Sequence, residues 1–343
     1  MVKMKKYINY FLGMVVAVCF ASCNDEWKDE QYLQMASFKA NVNGQGVTTT
    51  YVRYKPGGVV RYELPVLLSG STMNTDPINV KVALDPDTLA VLNQNEYGHR
   101  AELYFQQLPS KYYEMPESVD IPAGECSALL SIDFKLSDDL DQADKWVLPL
   151  QIVDDSSLGY RANPRKYFRR AMLRLLPFND YSGTYDASQY LIYFKSDTDE
   201  KEPFAVSSQR AFVVDDRTVF IYAGTRDIDY LDRKLYKIYI RFPKADSDSK
   251  TLEVWADNEE LNFGPYIDKD GNSAYQSNFN MYWEMDELKP YLKKIFITMN
   301  LYYEFDDYTT VPGQRLRYKV KGSLSMQRNL NTLIPDEDQQ IQW

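Results

Sequence analysis

The chain has 343 residues, and its 39 basic and 49 acidic side chains give a formal net charge of −10. This balance, without a cluster of basic residues, excludes a nucleic-acid-binding protein, because such proteins present a basic patch to the phosphate backbone. The length fits about two domains, and the 28 tyrosines and 16 phenylalanines favour β-structure, where aromatic side chains pack well.

The N-terminus has the pattern of a secretory signal. A positive region and a short apolar run at 11–20 precede small residues and a cysteine, in the order Lys3, Lys5, Lys6, Ala21, Ser22, Cys23. The apolar run is shorter than the roughly 20 residues that a transmembrane helix needs. Two small residues before a cysteine are typical of lipoprotein signals. We therefore expect cleavage after residue 22 and a lipid anchor on Cys23, which would attach the protein to a membrane.

An acidic segment follows the cysteine, beginning Asn24-Asp25-Glu26. We interpret residues 23–35 as a tether, and its acidity favours export to the outer-membrane surface; a solvated linker would also explain it. Without residues 1–22, which carry three lysines and no acids, 36 basic residues remain against 49 acidic ones, a charge of −13. Cys126 would then be the one cysteine besides Cys23, so stability must come from packing rather than from an intrachain disulfide.

Residues 36–176 show short alternating segments separated by turns, as in 78–84 and 127–136. This pattern predicts an all-β domain, an immunoglobulin-like β-sandwich. One short helix is expected near Thr88–Asn93. Pro149 lies within a predicted strand and indicates an edge or a bulge, because proline cannot donate to a sheet ladder.

A boundary is predicted at Pro177-Phe178-Asn179-Asp180, and residues 177–343 form the second predicted domain. Its strands, such as 187–194 and 295–305, follow one another through tight turns, which is typical of an antiparallel meander. Such a meander closes into a lipocalin-like barrel or packs as a sandwich. A short helical interruption is expected at 288–294.

The sequence shows no evident catalytic or metal site, so we predict a non-enzymatic protein without a cofactor. His99, the single histidine, lies in a turn-like segment without a nucleophile motif near it. The segment that starts at Asp268 departs from calcium-loop spacing and indicates a hairpin turn. A glycosidase needs only two carboxylates, and the candidates for such a pair are Glu253, Glu284, Glu304, Asp306 and Asp307.

Aromatic side chains flanked by amides and carboxylates are the usual components of a sugar-binding surface. One candidate group is Trp255 with Asp257 and Asn258. The other lies in the segment NFNMYW at 278–283, where alternation places Asn280 and Tyr282 on one strand face. Trp283, on the opposite face of that strand, is expected in the core.

Several longer segments resemble one family of proteins. They include VALDPDTLAVLN at 82–93, LPSKYYEMPESVDIPAGE at 108–125, WVLPLQIVD at 146–154, PFNDYSGTY at 177–185, VDDRTVFIYAG at 214–224 and NTLIPDEDQQIQW at 331–343. The first three are similar to an N-terminal domain of Bacteroidetes surface lipoproteins encoded beside SusC/SusD-type glycan importers. The others are similar to the C-terminal domain that often accompanies it.

This resemblance implies a surface protein that binds oligosaccharide for SusC/SusD-like importer proteins. Some relatives carry the N-terminal domain fused to endoglycosidases that cut N-glycans, so a host N-glycan is one candidate ligand. The Asp-x-x-Asp-x-Asp-x-Glu signature of those enzymes is absent from this sequence. Two alternatives stay open: a carbohydrate-active hydrolase with an unrecognised carboxylate pair, and a scaffold or adhesin that contacts only proteins of the importer complex.

Overall fold

The computed structural model describes residues 34–55, 57–137, 139–154, 157, 159–197 and 199–334. The predicted signal, Cys23 and all but the end of the predicted tether lie outside these residues. Within them most of the regular structure is strand, arranged as a two-sheet sandwich followed by one curled antiparallel sheet. The all-β prediction is confirmed.

The sandwich unit contains two sheets. The first sheet has the order β10-β1-β3-β8-β6. Its strands are β10 Arg161–Ala162, β1 Met35–Phe38, β3 Val59–Ser69, β8 Ser127–Lys135 and β6 Tyr113–Glu114. The second sheet has the order β2-β11-β9-β4-β7, and β5 also pairs with β9. Its strands are β2 Thr48–Arg53, β11 Arg170–Phe178, β9 Lys145–Ile152, β4 Ile78–Leu84, β7 Ser118–Ile121 and β5 Phe105–Gln107. Alternating residues such as Leu64, Leu130 and Ile132 are fully buried between the sheets.

Pro149 lies in the middle of β9, which is a central strand and not an edge. On one side of β9, residues 145–147 pair with β5 and residues 150–152 pair with β4. Pro149 occupies the gap between these two stretches, so its missing N–H removes no hydrogen bond from either ladder.

Helix α1, Pro86–Tyr97, covers the outer face of the second sheet. Asp85 caps it by accepting a hydrogen bond from Thr88 N at 3.1 Å, and Pro86 occupies its first turn. The helix thus extends beyond the predicted 88–93 in both directions. A single turn, α2, covers Lys166–Arg169. No helix in the described ranges is long and apolar enough to cross a membrane.

The barrel unit is a single sheet with the order β17-β16-β15-β14-β12-β21-β20-β18, to which β13 and β19 add at β12 and β20. In chain order the strands are β12 Gly183–Phe194, β13 Phe204–Ala205, β14 Ser208–Val213, β15 Thr218–Tyr222, β16 Lys237–Arg241, β17 Glu253–Trp255, β18 Gly264–Pro265, β19 Asn278–Met285, β20 Leu292–Asp307 and β21 Leu316–Asn331. The two ends of the sheet meet at an antiparallel bridge between Thr251 and Asn278, so the meander curls into a barrel.

The predicted helical interruption at 288–294 is wrong: residues 287–291 form a turn, and β20 already begins at Leu292. The hairpin of β20 and β21 is paired over 16 residues of each strand. The far end of this hairpin extends past the barrel core. The length of its two strands is therefore set by their pairing with each other and not by local strand propensity.

The segment between the two units is held by Asn179 and Arg328, which are both buried. Asn179 Oδ1 accepts hydrogen bonds from the N–H groups of Tyr181 and Ser182 at 2.9 and 2.8 Å, and its amide donates to Asp215 O at 2.8 Å. Arg328 donates to the carbonyls of Asn179 and Ser182 at 2.8 and 2.6 Å. These buried polar contacts therefore fix the segment that follows β11 to β21 and to the turn before β15, both in the barrel unit.

Candidate functional site

Trp255 lies on the outer surface of the barrel unit, at the end of β17. Its indole stacks on Tyr239 with ring centroids 5.3 Å apart, and the Arg241 guanidinium lies 4.8 Å from the indole centroid. The indole N–H donates to Asp257 Oδ1 at 2.9 Å. Because neighbouring side chains already contact this ring, Trp255 offers a ligand less open surface than its sequence context suggests.

The two residues predicted beside Trp255 have different surroundings. Asp257 is exposed and accepts the indole hydrogen bond. Asn258 instead caps a short 3-10 helix: its side chain accepts from Glu260 N, and its amide donates to Leu235 O at 2.8 Å and to the Tyr308 hydroxyl at 2.9 Å. Asn258 therefore ties two loops to each other, which leaves its amide engaged.

The structure separates Trp255 from Tyr282. Thr251 and Asn278 form an antiparallel bridge between the two chain segments. Trp255 lies four residues after Thr251, and Tyr282 lies four residues after Asn278, so the two side chains lie in opposite directions from the bridge. The two aromatics therefore diverge by eight residues, or about 26 Å along the strand direction. The two predicted groups do not form a single site.

Asn280 and Tyr282 belong to a continuous surface on the outer face of β19, β20 and β21, which we call the polar strip. The register places its side chains in three-residue rows: Asn278–Asn300–Ser323, Asn280–Thr298–Ser325 and Tyr282–Phe296–Gln327. These residues are exposed or half-buried, whereas the opposite face, with Ile297, Met299 and Leu324, forms the barrel core. The rows create a flat array of amides and hydroxyls.

Neighbouring groups in the rows orient one another. Asn300 donates to Asn278 Oδ1 at 2.8 Å, and the Thr298 and Ser325 hydroxyls are 3.1 Å apart. On the neighbouring strand β12, exposed Gln189 pairs with Ser323 and extends the array. Each amide and hydroxyl keeps further donor or acceptor capacity, which a ligand with many hydroxyl groups can use.

Aromatic rings lie at both ends of the polar strip. At one end Tyr282, 54% exposed, stacks on Phe296 with centroids 4.9 Å apart and planes 14° from parallel. At the other end Tyr302 contacts exposed Tyr275 at 5.3 Å. Phe296 and Tyr302 are six residues apart on β20, which corresponds to about 20 Å. The strip is therefore long enough for an extended ligand with an aromatic contact at each end.

Trp283 is not in the core, contrary to the prediction, because it is 58% exposed. The face that it shares with Phe279 is buried only at the start of β19, since the far end of the hairpin extends beyond the barrel. The Lys293 ammonium lies 4.5 Å from its ring centroid. Sequence alternation assigned the face correctly but could not show where the core beneath it ended.

Most of the carboxylates considered for catalysis are ion-paired. Glu253 pairs with Arg241 at 3.2 Å, and buried Glu304 and Asp306 both pair with Arg317, at 3.2 and 3.0 Å. Glu284 is exposed at the far end of β19.

Asp307 is buried beside Arg226, 3.0 Å away. Burial acts to raise its pKa, but hydrogen bonds from Thr310 and the charge of Arg226 outweigh burial and lower the pKa to about 2. Asp307 is thus held as a carboxylate.

The segment considered for calcium forms a closed turn, in which Asp268 Oδ1 accepts from the N–H groups of Asp270 and Asn272. Across the part of the chain that the structure describes, no three His, Cys, Asp or Glu side chains gather where they could hold a metal.

Fold and surface together describe a two-unit, all-β protein with an open polar strip. A domain of unknown function, DUF4973, matches residues 27–156, and a second family model, described as a C-terminal domain, matches residues 169–325. No curated protein matches the chain.

Solved structures from Bacteroides are similar over nearly the whole chain. A Bacteroides ovatus protein of unknown function is 38% identical with a TM-score of 0.77; the alignment covers 90% of this chain and 100% of that one. A Bacteroides thetaiotaomicron protein described as an auxiliary nutrient binding protein is 38% identical with a TM-score of 0.76, covering 89% and 100%. The chain belongs to the family of these two-unit Bacteroides proteins.

Proposed function

We propose that this protein is a lipid-anchored protein of the outer-membrane surface that binds an oligosaccharide on the polar strip without cutting it. The observation that carries the proposal is the exposed Tyr282–Phe296 stack beside rows of amides and hydroxyls. An aromatic face packs on the apolar C–H face of a sugar ring, while neighbouring amides and hydroxyls bind its hydroxyl groups. The description of the relative as a nutrient-binding protein supports the same role.

The carboxyl groups support binding without hydrolysis. A glycosidase holds one carboxylic acid protonated by raising its pKa. Within the described residues, every carboxyl group whose pKa departs clearly from its usual value departs downward, as in Asp286 and Asp307.

The three rows of the polar strip carry amides, hydroxyls and aromatic rings, which recognise a sugar. Two exposed carboxylates border the strip, Asp186 beside Ser325 and Glu284 in the row beyond Tyr282. Hydrogen bonds from Ser188 lower the pKa of Asp186 and keep it a carboxylate.

The proposed location rests on the N-terminal sequence, and the proposed partner rests on the family resemblance. Lipid on Cys23 would attach the chain to the outer membrane, and the acidic residues after it favour the outer surface. A non-catalytic binder in that position serves to capture glycan, and a SusC/SusD-like importer would take the captured glycan up.

The proposal is tested by binding. Residues 24–343 are applied to an array of dietary and host glycans, including N-glycans, and hits are measured by calorimetry. Tyr282→Ala is expected to weaken binding about tenfold, because the stacking contact is worth on the order of 1.4 kcal/mol. Tyr167→Ala, which removes an exposed tyrosine of the sandwich unit, is the matched control and leaves the affinity unchanged.

Trp255→Ala distinguishes the two predicted groups. If the strip is the site, this variant loses the contacts with Tyr239 and Arg241 but retains affinity. Loss of binding in Trp255→Ala alone would move the site to β17. No binding to any glycan would refute the proposal, and release of shorter sugars from a bound glycan would show a hydrolase. Copurification with an importer without sugar affinity would show a scaffold.

A further inference from the structure

A group of cations lies where the barrel unit packs against the outer face of the second sandwich sheet. Lys145 on β9 and Arg174 on β11 approach the same ring, Phe105, with Lys145 Nζ and Arg174 Cζ 6.0 and 5.7 Å from its centroid. Lys145 is 3% exposed and Arg174 is 9% exposed. Buried charges of this kind are costly unless they are paired.

Arg174 has far fewer acceptors than donors. A guanidinium carries five N–H groups, and the side-chain hydrogen bond found for Arg174 is one from Nη1 to Gln45 Oε1, at 3.5 Å. Its Nε is buried without an acceptor. Arg174 therefore has a buried donor without an acceptor, its Nε, on a side chain that is more than nine-tenths buried.

The polar neighbours of Arg174 are loosely connected. Gln45 Nε2 lies 3.4 Å from the Tyr97 hydroxyl, and that hydroxyl lies 3.5 Å from Lys145 Nζ. Burial raises the pKa of Tyr97, so its hydroxyl keeps a proton that it can donate. Contacts as long as these are near the limit of hydrogen bonding, and they connect Arg174, Gln45, Tyr97 and Lys145 in one chain of weak contacts.

Positive charge exceeds negative charge around this region. Buried Arg233 donates to carbonyls, at 3.1 Å to Ala143 O and 3.2 Å to Tyr230 O. Burial lowers the pKa of Arg174, and the charge of Arg210 on β14 lowers it further. The Arg210 guanidinium lies 5.5 Å from the centroid of the Phe212 ring. For the residues with described coordinates, no carboxylate pairs with Arg174, Arg210 or Arg233. Asp229, which is 59% exposed, pairs with Lys145 at 2.8 Å.

We propose that this cluster is an oxyanion site, in which the Arg174 guanidinium binds a carboxylate, sulfate or phosphate group and Lys145, Tyr97 and Gln45 complete its hydrogen bonds. A planar guanidinium matches two oxygens of such a group. The anion satisfies the buried donors and offsets the excess charge. The site is independent of the polar strip. Its ligand is a free anion or the acidic group of a sugar, which share this chemistry.

The test measures anion binding to residues 24–343 at constant ionic strength in chloride buffer. Sulfate, phosphate, acetate and glucuronate are titrated by calorimetry and thermal unfolding, with glucose as the neutral control. Sulfate and phosphate stabilise proteins in general by exclusion from their surface, so the readout is the difference between variants. Arg61→Met removes an exposed arginine paired with Asp133 and serves as the matched control.

We expect at least one oxyanion to bind the wild type and Arg61→Met with equal affinity, and to bind Arg174→Met at least tenfold more weakly. Without oxyanions, Arg174→Met melts no lower than the wild type, because the substitution removes a buried charge that lacks a partner. If Arg174→Met does not fold, Arg210→Met, at a half-buried position, is expected to weaken binding several-fold.

The pattern of ligands identifies the source of the anion. Equal affinity for acetate and glucuronate indicates a free anion, and tighter binding of glucuronate indicates an acidic sugar. The proposal is overturned if none of the four anions binds the wild type. It is also overturned if Arg174→Met, or Arg210→Met where Arg174→Met does not fold, binds them as tightly as the wild type.

Discussion

Gly322 offers a sharp test of how the barrel sheet is built. It lies on β21 between Tyr190 of β12 and Leu301 of β20, next to the polar strip. Its φ is +136°, and a Cβ at this position would lie 1.8 Å from Gln189 O. Gly322→Ala therefore combines backbone strain with a collision between two paired strands.

The magnitude follows from these two effects. A non-glycine residue in such a backbone conformation costs about 1–3 kcal/mol. Relieving the collision moves the two strands apart by about 1.6 Å to reach ordinary contact, and overpacking of this kind costs about 1–3 kcal/mol. We expect Gly322→Ala to lower the free energy of unfolding by about 4 kcal/mol. At roughly 2–4 °C per kcal/mol, the Tm falls by about 8–16 °C.

The assay is urea and thermal unfolding of the wild type and two variants. Gly313→Ala is the matched control, because Gly313 has φ +77° but a Cβ added there would meet nothing within 4 Å. Its expected cost is backbone strain alone, about 1–2 kcal/mol. The reasoning fails if the two variants are equally stable, since the close approach of β12 and β21 would then carry no energy.

Two further predictions concern buried polar groups. Asn93→Ala should lower the free energy of unfolding, measured in urea titrations, by about 2–4 kcal/mol. The Asn93 side chain binds both the N–H and the C=O of Phe105, each at 2.8 Å, and the substitution would leave both groups unpaired. An unchanged unfolding midpoint would contradict this prediction. Asp307, with its pKa lowered from 3.8 to about 2, should stabilise the fold fully above about pH 4 and lose that contribution as the pH falls towards 2. In Asp307→Asn, the free energy of unfolding should therefore decrease less steeply between pH 4 and pH 2 than in the wild type. An equally steep decrease would show that other groups control the loss of stability in acid.

Local sequence was sufficient to predict strands in which buried and exposed side chains alternate along the chain. Alternation in 78–84 predicted β4 with its bounds, because Ile78, Val80 and Val82 on one face of that strand are buried in the sandwich core. The prediction placed α1 correctly near 88–93 but missed its first turn, which Pro86 begins and Asp85 caps. The all-β class followed from many such segments.

Local sequence failed where burial changed along a single strand. Trp283 has the alternation of a core residue, yet β19 extends past the core at that point. Residues 292–294 lie in β20 and not in the predicted helix, because β21 provides sixteen paired residues on one side. Cross-strand pairing over this distance is decided by the register of the whole hairpin.

The sequence by itself determined the chemistry available to this protein: an expected lipid anchor at Cys23, a chain rich in tyrosine, one histidine, and Asn280 and Tyr282 on a common strand face. Tertiary structure decided which of these groups meet. It placed Tyr282 on Phe296, separated both from Trp255, and brought Arg174 and Lys145 to one buried ring. The reason is physical, because a strand specifies its two faces locally, whereas its neighbours and the depth of the core depend on how distant strands pair.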